Sequence, residues 1–271
     1  MKLMYLTADP EYAIEAQEAG IDRVFCDLEY INKVERQMGR NTLISHNDIE
    51  DVAKLRKVLD KSELLVRVNS LYQNSKYEID KVISDGAEVI MLPMVYDAED
   101  VKEFVELVGG RAKTCPMIET AQAMARLDSI MDVGGVDELF IGLNDLHISM
   151  DLTFMFELLS GGLVEYMANK ISARNIPFGF GGMAKIGEGI LPAESILAEH
   201  FRLNSSSVIL SRTFRNEVGD NTSDRVNLKE EIAKIRKKEE EIKNWTSENF
   251  ERNRLFSCEK VKEIVEIIQK K

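Results

Sequence analysis

Two stretches, Thr114-Cys115-Pro116-Met117-Ile118-Glu119 and Glu138-Leu139-Phe140-Ile141-Gly142-Leu143-Asn144-Asp145, decide the fold. Each is a short apolar run that ends in a carboxylate, and the segment between them, Ala121 to Met131, has the length of a helix. The pattern reads as strand, helix, strand. Parallel strands joined by a helix point the same way, so Glu119 and Asp145 are expected at one carboxyl-terminal sheet edge, where α/β proteins place their chemistry. Two hard oxygen ligands at that edge suggest Mg²⁺ or Mn²⁺.

Working outward, eight runs read as strands: Leu3 to Leu6, Arg23 to Leu28, Leu64 to Val68, Val89 to Leu92, Thr114 to Ile118, Leu139 to Ile141, Phe178 to Gly181 and Ser207 to Leu210. Amphipathic stretches fill the gaps. Asp48 to Leu59 carries Ile49, Val52, Leu55 and Leu59 on one face, and Ala98 to Val108 carries Val101, Phe104, Val105 and Val108. Eight strands alternating with helices predict a (β/α)8 TIM barrel over residues 1–215. An open doubly wound sheet is the rival, but no GxGxxG follows the first strand. Residues 216–271 read as a helical extension. Leu228, Ile232, Ile235 and Ile242 mark one of its helices, and Val261, Ile264, Val265 and Ile268 mark a second after Asn253. Such stripes pack either on the barrel itself or on another subunit, which is the basis for expecting a homo-oligomer with the extension exchanged between copies.

At 271 residues the chain can bury roughly 75% of the surface that its unfolded form exposes. Its 35 Lys and Arg against 47 Asp and Glu leave a formal charge of −12, which repels nucleic acid and anionic membrane, so neither is expected as a partner. The three cysteines, Cys26, Cys115 and Cys258, lack CxxC spacing and read as free thiols in a reducing compartment. No uncharged apolar stretch approaches ~18 residues. A cytoplasmic, soluble protein is expected.

Taken in order, the strand ends bring Asp27, Glu29 and Tyr30, then Arg67 and Asn69, Pro93, Glu119, Asn144 and Asp145, Gly181 and Gly182, and Ser211 and Arg212 to one mouth. Crowded carboxylates repel and raise one another's pKa unless a cation neutralises them, and a divalent ion does so. Arg67 suits the complementary task of holding a carboxylate or an enolate oxygen.

Asp27-Leu28-Glu29, Arg67-Val68-Asn69, Gly86-Ala87 with Met91-Leu92-Pro93, Ile118-Glu119-Thr120 and Phe140-Ile141-Gly142-Leu143-Asn144-Asp145-Leu146 together resemble, in order and spacing, the HpcH/HpaI aldolase and citrate lyase β-subunit family. The resemblance covers about Met1 to Leu146. It implies a barrel that binds Mg²⁺ or a similar ion through Glu119 and Asp145, with Arg67 stabilising the enolate of a small 2-oxo acid. It also implies a hexamer-type assembly with an exchanged C-terminal helix. Two departures accompany it. Tyr30 stands where the pyruvate aldolases of that family carry a His, and Met117 stands where many carry a Gln two residues before the metal Glu.

The expected function is a metal-dependent carbon–carbon lyase or aldolase acting through the enolate of pyruvate or a similar 2-oxo acid. Glu119 and Asp145 are its metal ligands, Arg67, Tyr30 and His147 its catalytic candidates, and Arg67, Asn69, Asp27, Gly142 and Asn144 its substrate contacts. The alternatives are an acyl-CoA lyase of the citrate lyase type, a phosphoenolpyruvate-using enzyme, and a barrel kept as a non-catalytic binding scaffold. Structural readings compete at single residues. Glu119 and Asp145 would suit helix caps, Arg67 a partner for Asp27 or Glu29, Tyr30 a packing residue and His46 a solvated loop. His200 is expected far from the site. Gly179, Gly181 and Gly182 with Ser211 and Arg212 lie where many barrels hold phosphate, or else simply make room.

Overall fold

The computed structural model describes residues 1–31, 47–215 and 226–270. The strands are β1 Lys2–Leu6, β2 Arg23–Asp27, β3 Glu63–Arg67, β4 Val89–Leu92, β5 Lys113–Ile118, β6 Leu139–Ile141, β7 Phe178–Met183 and β8 Ser207–Leu210. They form a closed barrel in chain order, and β8 pairs in parallel with β1. The fold is a (β/α)8 TIM barrel, and each expected strand is present, with ends displaced by two residues at most. These runs were legible because most of their residues are buried, which writes a parallel strand as a nearly unbroken apolar run.

Register fixes what faces inward. Arg23 pairs with Glu63, Phe25 with Leu65 and Asp27 with Arg67. Alternation along the strands therefore gives three layers inside the barrel. In the lower layer the buried Arg23 reaches Glu63 at 2.7 Å and Glu138 at 2.5 Å. Above it the barrel interior is apolar: Met4, Phe25, Leu65, Val89, Met91, Cys115, Met117 and Phe140 form a cluster separate from the core between strands and helices. The upper layer holds Asp27 and Arg67.

Three helical expectations needed correction. The stretch Ala121 to Met131 is two short helices, Ala121–Ala125 and Leu127–Met131, broken at Arg126. The helix expected from Asp48 begins at Asp51. In the extension, Leu228–Ile242 is one helix, and the next is Ser247–Gln269, started by Thr246 and Asn249 in a reciprocal capping box upstream of the expected Asn253. Both tail helices lie against this chain's own barrel. Leu228, Ile232, Ile235, Ile242, Val261 and Ile264 are buried, Arg236 donates to the Met1 carbonyl at 2.8 Å, and Asn253 donates to the Ser195 carbonyl at 3.1 Å. Among the described residues no helix is long and apolar enough to cross a membrane.

Candidate active site

The carboxyl ends of β3, β5, β6, β7 and β8 surround a cavity of about 210 Å³. Arg67, Glu119, Asn144 and Asp145 are its polar lining and Met117, Phe140, Leu143, Met155 and Ile209 its apolar lining, together with Gly142, Gly181 and Gly182.

Glu119 follows β5 directly and is 2% exposed. Its Oε1 accepts the Met94 backbone N–H at 2.8 Å. The next residue, Thr120, caps helix Ala121–Ala125 by accepting from Ala123 N–H at 3.0 Å, and its hydroxyl donates to the Val95 carbonyl at 2.8 Å. The loop after β4 is thereby stapled to the end of β5. Asp145 lies in the first turn of helix Leu143–Ser149, which starts directly after β6 and Gly142. A Cβ at position 142 would stand 2.5 Å from Glu119 Oε2, so glycine is what makes room for the Glu119 carboxylate beside the start of that helix.

Arg67, the last residue of β3, donates from Nε to Asp27 Oδ1 and from Nη2 to Asp27 Oδ2, both at 2.8 Å. Glu29 Oε2 lies 3.4 Å from Nε. Nη1 faces the Met117 sulfur at 3.8 Å, and the guanidinium carbon sits 5.4 Å from the Phe25 ring centroid. Burial alone would lower the guanidinium's pKa, but the charges of Asp27 and Glu29 raise it well above its ordinary value.

Glu119 is the electrostatic outlier. Burial, then the charges of Asp145 and Glu29, push its carboxyl up to about 8, against the opposing pull of Arg67 and of the Met94 N–H. Such a group is stabilised as an anion only if more positive charge comes close. Two carboxylates on one open cavity suit Mg²⁺ or Mn²⁺, ions that commonly take one or two protein carboxylates and complete their shell with water and substrate oxygens. Among the described residues no group of three or more His, Cys, Asp or Glu is arranged to hold a metal by itself. The donor set is therefore a partial one, and it fits that mode.

Of the residues singled out from sequence, Arg67, Glu119, Gly142, Asn144 and Asp145 are brought together at the cavity. Four are not. Asp27 is 2% exposed and grips Arg67, behind the lining. Asn69, also 2% exposed, accepts the Tyr30 and Ile31 backbone N–H groups at 2.9 and 3.0 Å and donates to Glu78 at 2.8 Å, so it ties down the loop after β2. Tyr30 is 57% exposed and lies outside the lining. His147 is buried on its helix with Nδ1 3.2 Å from the Leu143 carbonyl, also outside it. His200 is fully buried between β7 and helix Ala193–Arg202, away from the cavity as expected. His46 lies outside the described residues.

Gly181 and Gly182 reach the cavity at a register shift between β7 and β8, whereas Gly179 permits close packing: a Cβ there would meet the Ser207 carbonyl at 2.6 Å. Ser211 caps the short turn Arg212–Phe214. Sequence reasoning overlooked the Met94 peptide, the position of Met117 on Arg67 and the contribution of Met155. Met117 had a signal, as the residue standing in place of Gln; the other two had none.

A model of the family described as HpcH/HpaI aldolase/citrate lyase matches residues 2–156. Over 107 residues the chain is 26% identical to the 4-hydroxy-2-oxo-heptane-1,7-dioate aldolase of Salmonella typhimurium, covering 28% of this chain and 41% of that protein. Over 97 residues it is 28% identical to a pyruvate kinase of Methylorubrum extorquens, covering 36% of this chain and 20% of that protein. The chain thus spans less than half the length of these curated relatives. The solved structure of an HpcH/HpaI aldolase/citrate lyase family protein from Burkholderia cenocepacia J2315 superposes with a TM-score of 0.61 at 15% identity, over 90% of this chain and 95% of that one, and shares the fold.

Proposed function

The chain belongs to the HpcH/HpaI aldolase/citrate lyase family, and from that premise we propose that it is a divalent-metal-dependent lyase that makes or breaks a carbon–carbon bond through the enolate of a small 2-oxo acid such as pyruvate. The observation that carries this reading is the convergence of Arg67, Glu119 and Asp145 on one cavity, with the Glu119 carboxyl pushed up to about 8 by burial and by the charges of Asp145 and Glu29. Glu119 and Asp145 would hold the ion. When bound, Mg²⁺ or Mn²⁺ supplies the charge that polarises the 2-oxo group.

The chain's own residues do the rest. Asp27 fixes the plane of the Arg67 guanidinium by its two-bond fork and leaves Nη1, on the Met117 side, to donate to the oxygen that gains charge as the enolate forms. The apolar lining of the cavity keeps that oxygen in a medium where one hydrogen bond counts for more than it does in water. Asn144 and Gly142 present polar edges to the substrate carboxylate.

The test is titration of oxalate, a planar dianion shaped like the pyruvate enolate, into protein with and without Mn²⁺. Metal-dependent binding that weakens in Glu119→Gln is the expected result; oxalate binding indifferent to both would overturn the reading. A second reading places a phosphorylated enol acid in the same cavity. It is favoured by the match to a pyruvate kinase and by Gly181 and Gly182 at the cavity, and it requires the phosphoryl group to leave the enol oxygen, either to water as inorganic phosphate or to an acceptor.

A further inference from the structure

Among the described residues four non-glycine residues have positive φ: Met94 at 54°, Asp151 at 54°, Asn175 at 56° and Asn204 at 56°. Asp and Asn adopt the left-handed region readily because their short polar side chains bond locally; a long unbranched apolar residue does not. Met94 is the exception. It is also the residue whose peptide N–H meets Glu119 Oε1 at 2.8 Å. The surroundings hold that peptide in place: the buried Pro93 precedes it, and the carbonyl of Val95, which follows it, takes the Thr120 hydroxyl at 2.8 Å. On its far side Glu119 Oε2 occupies the space where a Gly142 Cβ would stand, at 2.5 Å. The carboxylate is therefore fixed from one side by a donor and given room on the other by a missing side chain.

We propose that Met94 is a positioning residue, whose left-handed backbone exists to aim its N–H at Glu119 and so to set that carboxylate for the cation. The proposal rests on the reading of Glu119 as a metal ligand. It assigns the role to the peptide and none to the thioether, which makes an unusual prediction about substitutions. Glycine, which enters the left-handed region freely, replaces Met94 without loss, while valine, closer to methionine in size and polarity, does not.

The experiment is Mn²⁺ titration followed by the electron paramagnetic resonance of free Mn²⁺, on wild type, Met94→Gly, Met94→Val and Glu119→Gln, each also melted without metal. The expected order is Gly at least as tight as wild type and Val weaker by about tenfold or more, with Glu119→Gln the weakest. Val binding like wild type would overturn the proposal. So would Gly weakened about tenfold while Val is spared, since that order follows side-chain packing. If the Val variant shows no melting transition, the Gly variant decides alone, because it keeps the N–H and lacks the whole side chain. Failure of wild type to bind Mn²⁺ would overturn the metal reading and this inference together. Binding by wild type that Glu119→Gln abolishes but Met94→Val leaves intact would overturn this inference alone.

Discussion

Arg67 gives two donors to Asp27 and keeps a third beside the Met117 sulfur, a geometry that a point charge on a flexible stem does not reproduce. Arg67→Lys is expected to slow pyruvate enolisation by roughly a hundredfold or more, since it removes a donor aimed at developing charge. Mn²⁺ affinity should change little, because the cationic charge remains. Asp27→Asn keeps one acceptor, and its enolisation rate should fall by less than that of Arg67→Lys. Rates from solvent-deuterium exchange, set beside Mn²⁺ titrations, check both; a large loss of Mn²⁺ affinity in Arg67→Lys would contradict the separate roles. At this scale a strand end was readable as a place in the mouth, though not as a role: Asp27 ends β2 and serves Arg67 rather than the cavity. Arg67 is the last residue of β3 and lines the cavity at the mouth where its strand end was expected. Asn69 does not reach the cavity, because the strand has stopped two residues earlier and the Asn69 N–H and amide both engage Glu78. Met94 was invisible for a similar reason, since nothing in its chemistry announces a positive φ.

Between elements, β7 and helix Ala193–Arg202 meet through Phe180 and His200, whose rings stack at 3.8 Å and 8°. His200 is fully buried, its Nδ1 lies 2.8 Å from the Ser205 hydroxyl, and its Nε2 has no hydrogen-bond partner among the described residues. Burial, with a smaller push from the amino-terminal charge, lowers its pKa to about 3. Unfolded, the same imidazole titrates at about 6.5. Between those values the unfolded chain holds a proton that the folded chain does not, so stability rises with pH across the window and falls on acidification by up to roughly 1.4 kcal/mol per pH unit from this group. The His200→Gln variant removes that proton uptake. Its unfolding free energy, from urea melts taken between pH 6.5 and 4, should decline less steeply than that of wild type; parallel slopes would contradict a neutral buried imidazole. Elements were legible where periodicity is strong, as in Ala98–Val108, which has the expected bounds. The break at Arg126 was not, because both halves keep apolar residues at helical spacing and the interruption lies in the backbone alone.

Across the whole molecule, barrel closure brings to one end residues from Arg67 to Ile209 that the chain keeps far apart. The order of eight apolar runs was enough to predict that convergence, because a closed parallel barrel leaves only one carboxyl-terminal face. The shape of the cavity was not predictable, since it depends on Met155, well past the end of β6, and on the β7–β8 register shift. The central claim is that this face holds a metal-dependent enolate site. It is tested most directly by the exchange of pyruvate methyl protons for deuterium in heavy water, followed by NMR with Mg²⁺, with Mn²⁺ and without metal, in wild type and Glu119→Gln. The account predicts exchange that requires the ion and disappears in the variant. Exchange that persists without metal or in Glu119→Gln, or no exchange with either ion, would contradict it.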